Sequence, residues 1–158
     1  MCMKIFLTGG TGFIGKNLIN ILQENNIEVL ATSRKKNTNK DNVSWIKTDL
    51  SDIKNHMHII NDFKPTVVYH LSWEGIPDFS FDNCLKNLNS SINLMHHLSN
   101  IRSIEKVVIT GTCLEYNKVN GNCNEDELVN PEQWFEWTKN LINIFSNKIL
   151  KEKNIKLY

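Results

Sequence analysis

The stretch "KIFLTGGTGFIGKNLINIL", residues 4–22, leaves few folds open to this chain. Residues 3–8 form an apolar run of buried-strand type, and Gly9, Gly10 and Gly12 break it. A helix-period segment follows over residues 13–25, with Phe13, Ile14, Leu18, Ile21 and Leu22 expected on one inward side. The spacing Gly9, Gly12, Gly15 meets three demands at once. A tight turn asks a positive φ of its first glycine. The second lets backbone approach a pyrophosphate, and the third lets helix pack on strand. The start of the helix then presents free amides and a positive dipole end to phosphates. Strand, turn and helix in that order separate a phosphate loop from an ordinary glycine turn. The spacing therefore predicts a dinucleotide site at Thr8, Gly9, Gly12, Phe13, Ile14 and Gly15.

Apolar runs alternate with helix-period segments along the rest of the chain. Strands are expected at 27–32, 43–50, 66–72 and 106–112, with the start of a sixth at 155–158. Helices are expected at 51–63 and 81–100, and from Pro131, which can open a first turn, to about Lys153. The polar segment 117–130 is too rich in turn formers to be regular. Alternation of this kind predicts an α/β, doubly wound parallel sheet of Rossmann type, strand order 3-2-1-4-5-6, with helices on both faces. At 158 residues, one domain over residues 1–158 is expected.

A formal net charge of +1 gives no field for nucleic acid or an anionic membrane surface. No apolar stretch approaches the ~20 residues that span a bilayer, and no export leader is visible, so a cytoplasmic chain with reduced thiols is expected. Cys2, Cys84, Cys113 and Cys123 lack CxxC pairing, and His56, His58, His96 and His97 have no ligand spacing, so no metal site is expected. His70 closes a strand and should be satisfied by hydrogen bonds; Cys113 should be an inert buried thiol. Trp134, Trp137, Leu141 and Phe145 recur at helix spacing and read as core packing, with part of the stripe left for a subunit interface. At the end of the second strand, an acidic residue would hydrogen-bond a free ribose 2′-hydroxyl. This chain has Ser33, Arg34, Lys35 and Lys36 there, which suits a 2′-phosphate, so NADP(H) is favoured over NAD(H).

In this order the motifs resemble the extended short-chain dehydrogenases/reductases, the NAD(P)-dependent sugar-nucleotide epimerase/dehydratase/reductase family. "TGGTGFIG" has that family's glycine spacing, and "TDL" at 48–50 is similar to its adenine-contacting segment, implying cofactor contacts from Asp49 and Leu50. "HLSWEGIPDF" resembles the segment after the fourth strand, so Leu71 and Ser72 would line the cofactor. Asn87 matches an asparagine of the long helix, and "GTCLEY" places Thr112 at the catalytic Ser/Thr position.

The resemblance implies hydride transfer at a carbon of a nucleotide sugar, and it fails at two points. The family's Tyr-x-x-x-Lys signature aligns with Phe135 and Lys139, so the residue expected to move a proton lacks its hydroxyl. The chain also stops where the family continues into a smaller substrate domain, which is therefore expected to be absent. Lys139 keeps a second implied role, a hydrogen bond to the nicotinamide ribose. Two readings follow: an impaired epimerase, dehydratase or reductase, or a silent NADP(H)-binding module acting as a sensor or non-catalytic subunit. Either would pair as a homo-oligomer or with an intact paralogue.

Overall fold

The chain starts in the middle of its sheet and builds outward twice. The computed structural model describes residues 3–116, 124 and 126–158; Cys2, Cys123, Glu125 and most of the polar segment beginning at residue 117 lie outside them. Strands β1 (Lys4–Thr8), β2 (Glu28–Ser33) and β3 (Val43–Lys47) run to one edge. The chain then crosses back to β4 (Val67–His70), β5 (Lys106–Ile109) and the two-residue β6 (Lys156–Leu157). All five pairings are parallel and the order is β3-β2-β1-β4-β5-β6, as expected from the sequence. Strand order reverses between β1 and β4, and a crevice opens at the carboxyl ends of strands at such a point.

Alternate strand residues feed opposite faces. Phe6, Leu30, Ile46, Val68 and Val107 meet Ile60 of α2 (Met57–Phe63), Leu94, Met95 and Leu98 of α3 (Phe81–Leu98), and Leu150 of α4 (Trp134–Lys151). On the other face Ile5, Leu7, Val29, Ala31 and Val43 are covered by Ile19 and Leu22 of α1 (Phe13–Glu24).

Helix α1 is rotated from its expected setting. A Cβ on Gly15 would strike the carbonyl oxygen of Gly9, so the helix sits closer to the loop than any side chain would allow. That contact brings Gly15, Ile19 and Leu22 inward. Phe13, Ile14 and Ile21 face out instead, Phe13 at 87% exposure. Helix α4 departs in a similar way. Pro131 does not open it; Gln133 is the N-cap, and the Glu136 carboxylate accepts from the backbone N–H of Gln133 at 3.0 Å and of Glu132 at 2.7 Å. This capping box satisfies donors left over at the helix start. The buried face of α4 is Thr138, Lys139, Ile142, Ser146 and Leu150, packed chiefly on α3. Trp134, Trp137 and Phe145 are exposed, which corrects their reading as core.

Candidate functional site

Gly9 sits at φ 76°, a conformation in which a side chain is strained, and a Cβ there would press on the backbone of Leu71 and Ser72. The loop closes with Gly12 N–H donating to the Gly9 carbonyl at 2.9 Å. Gly12 then caps α1 through backbone alone, so no side chain takes the helix's first amides.

A cleft of about 310 Å³ opens over this loop. Nine of the residues singled out from the sequence line it: Gly9, Gly12, Ser33, Arg34, Asp49, Leu50, Leu71, Ser72 and Asn87. They come from the ends of β1, β2 and β4, the segment after β3, and α3. Asp49 binds Ser51 through one oxygen, accepting from its backbone N–H at 3.0 Å and its hydroxyl at 2.7 Å. These bonds hold the carboxyl below its ordinary range.

Four expected residues take structural places outside the cleft lining. Thr8 is fully buried, its hydroxyl 2.8 Å from His70 Nδ1 and accepting from Ser72 Oγ at 3.0 Å. Gly15 is buried against Gly9, and the side chains of Phe13 and Ile14 point to solvent. His70 is bonded at both ring nitrogens, the second 2.9 Å from Ser91 Oγ. Burial, with a smaller push from the Lys139 ammonium, brings its pKa down to about 3.

Thr112, Phe135 and Lys139 do not line the cleft. Lys139 Nζ donates to the Thr110 carbonyl at 2.9 Å and lies 4.8 Å from the centre of the Trp73 ring. Burial lowers its pKa to about 8, and the Glu115 carboxylate opposes that shift. Phe135 meets Trp73 edge-on at 4.8 Å and Phe79 at 4.6 Å. Thr112 is half-buried, and its backbone N–H donates to Glu115 Oε1 at 2.8 Å. Cys113, expected to be buried, is exposed.

The sequence reading missed Trp73 and Glu74, although both directly follow the strand end that it had singled out. Glu74 reaches Arg34 at 3.4 Å and Lys86 at 2.9 Å across the cleft mouth. Asn87 does more than line the cleft: its side-chain oxygen accepts from Glu74 N–H at 2.8 Å and its amide donates to the Glu74 carbonyl at 3.0 Å. No group of three His, Cys, Asp or Glu able to hold a metal occurs among the described residues, and no described helix is long and apolar enough to cross a membrane.

The family model for the NAD dependent epimerase/dehydratase family matches residues 5–157. The chain is 26% identical over 139 residues to CDP-paratose 2-epimerase from Salmonella typhi, covering 78% of this chain and 39% of that protein. WbmG from Bordetella bronchiseptica, solved in complex with NAD, superposes with a TM-score of 0.79 at 22% identity, over 99% of this chain and 52% of that one. UDP-glucose 4-epimerase from Thermotoga maritima, solved with UDP-glucose, gives 0.83 at 19% identity, over 98% and 53%. The chain thus spans about half the length of these proteins or less.

Proposed function

Since the chain belongs to the NAD dependent epimerase/dehydratase family, we propose that it is a dinucleotide-binding domain whose hydride transfer at a sugar carbon is impaired. Phe135 carries this reading. It stands one helical turn before Lys139, where the family pattern has the tyrosine that moves the proton at the sugar hydroxyl. A lysine ammonium at that distance favours a phenolate and so brings a phenol towards working pH. A phenyl ring keeps the shape and has no proton to move. Loss of general acid–base catalysis costs typically ~10²–10⁴-fold. The Glu115 carboxylate close to Thr112 already accepts from that residue's backbone N–H through Oε1.

The glycine loop and the cleft support cofactor binding that outlives the chemistry. The choice between NAD(H) and NADP(H) turns on Arg34. The run from Ser33 to Lys36 supports NADP(H), yet Glu74 already answers the Arg34 guanidinium and would repel a 2′-phosphate. With the relatives' descriptions naming NAD, we take NAD(H) as the cofactor. A nucleotide sugar is the proposed substrate class, by analogy with the relatives that carry such substrates in their names. The exposed aromatic stripe of α4 supports self-association.

Calorimetric titration with NAD⁺, followed by absorbance at 340 nm with nucleotide sugars, tests the reading. The chain is expected to bind NAD⁺ and to give no rise at 340 nm above that of cofactor and sugar without protein. Protein-dependent reduction of NAD⁺ would overturn the impairment, and absence of binding would overturn the cofactor reading.

A further inference from the structure

Trp73 touches both the cleft and the residues of the reacting end. Its indole lines the cleft and lies 4.8 Å from the Lys139 ammonium, whereas Thr112, Phe135 and Lys139 are absent from the lining. Three contacts hold it there: the edge of Phe135, the Lys139 ammonium over its face, and, through Phe135, the Phe79 ring. Lys139 is turned away as well, since its ammonium bonds the Thr110 carbonyl. The cleft's 310 Å³ sits at the low end of the roughly 300–1,000 Å³ found for ligand pockets. Much of its lining would meet an adenosine and its diphosphate, namely the glycine loop, the end of β2, Asp49 and Leu50; the rest comes from the segment Leu71 to Glu74 and from Lys86, Asn87 and Ser90 of α3.

We infer that this cleft is a site for an adenosine diphosphate group alone, and that Trp73 with Phe135 withholds the place a nicotinamide riboside would take. The inference rests on the cofactor-binding reading above and narrows its ligand. ADP and ADP-ribose should be held by the same contacts as NAD⁺, because the rest of the dinucleotide stays in solvent. Ligand atoms left in water add no binding free energy, whereas opening the aromatic packing would cost some. Trp73 is held by rings rather than by hydrogen bonds, for its indole N–H has no partner among the described residues. Truncating it therefore orphans no acceptor and should open the channel cleanly.

Titration of the chain with NAD⁺, ADP-ribose, ADP and UDP tests this. NAD⁺ and ADP-ribose should bind with dissociation constants within about fivefold of each other, and UDP at least about tenfold more weakly. Saturation-transfer NMR on bound NAD⁺ should light the adenine protons and leave the nicotinamide protons near baseline, a readout that needs no variant. Trp73→Ala should tighten NAD⁺ over ADP-ribose by about tenfold. NAD⁺ binding more than about fivefold tighter than ADP-ribose in the unaltered chain, or nicotinamide signals equal to adenine signals, would overturn the inference and leave the cofactor-binding reading standing. UDP binding as tightly as ADP would also overturn it. Failure of all four ligands to bind would overturn both.

Discussion

At the scale of single residues, His70 is the sharpest case of burial setting chemistry. Its imidazole is held neutral between Thr8 and Ser91, with a pKa of about 3 against an ordinary 6.5. The unfolded chain takes up a proton at this residue below pH 6.5, and the folded chain does not until about pH 3. Stability from this group is therefore full above pH 6.5 and drains away as pH falls towards 3. The slope in that window approaches ~1.4 kcal/mol per pH unit. Urea unfolding of the chain and of His70→Gln at pH 7 and at pH 4.5 measures it. The difference between the two proteins should move in favour of the glutamine variant as pH drops. Parallel pH profiles would show that the imidazole does not titrate on unfolding. That His70 would be satisfied rather than reactive could be read from its place at the end of an apolar strand. That its partner would be Thr8, itself expected at the cofactor, could not: the bond joins residues 62 apart in the chain.

At the scale of elements, the segment following β4 is tied down by α3 and in turn sets the charge of the cleft. Asn83 and Asn87, one turn apart on α3, both donate to the Glu74 carbonyl, at 2.9 and 3.0 Å. That clamp fixes the Glu74 carboxylate between Arg34 and Lys86. Exposed pairs of this kind are worth only about 0–1 kcal/mol each. Glu74→Gln frees both cations while keeping the side chain's size, so NADP(H) affinity should rise relative to NAD(H) by a few-fold, at most about tenfold. Side-by-side titration with the two cofactors reads the ratio, and an unchanged ratio would remove Glu74 from cofactor selection. The elements themselves were legible because strand runs, glycine spacing and helix periodicity are local signals. Helix settings were not. The inward face of α1 followed from the contact of Gly15 with Gly9, not from its count of apolar residues. The α4 stripe has core spacing, yet the face that meets α3 carries Thr138, Lys139 and Ser146. Glu74 was invisible for the same reason: its partner Arg34 lies 40 residues away in sequence.

At the scale of the whole molecule, one run of exposed aromatic surface lies along α4 and the start of α3. Trp134, Trp137, Ile144 and Phe145 of α4 are all exposed, and Phe81 at the start of α3 meets Trp134 edge-on at 5.0 Å. Sheet edges are the other usual cause of association, but here they are poor templates. β6 carries the exposed Lys156, and β3 turns Ser44 and Lys47 outward. If copies of this chain pair, the helical stripe should therefore be what pairs them, since contiguous exposed aromatic surface marks association sites. Sedimentation velocity over about a hundredfold dilution is expected to show a concentration-dependent dimer. The double change Trp137→Ser and Phe145→Ser should shift it to monomer and leave the thermal midpoint unchanged at dilutions where the unaltered chain is also monomeric, because neither side chain is in the core. A monomer at every concentration, or a dimer that survives both changes, would assign the stripe no role in assembly.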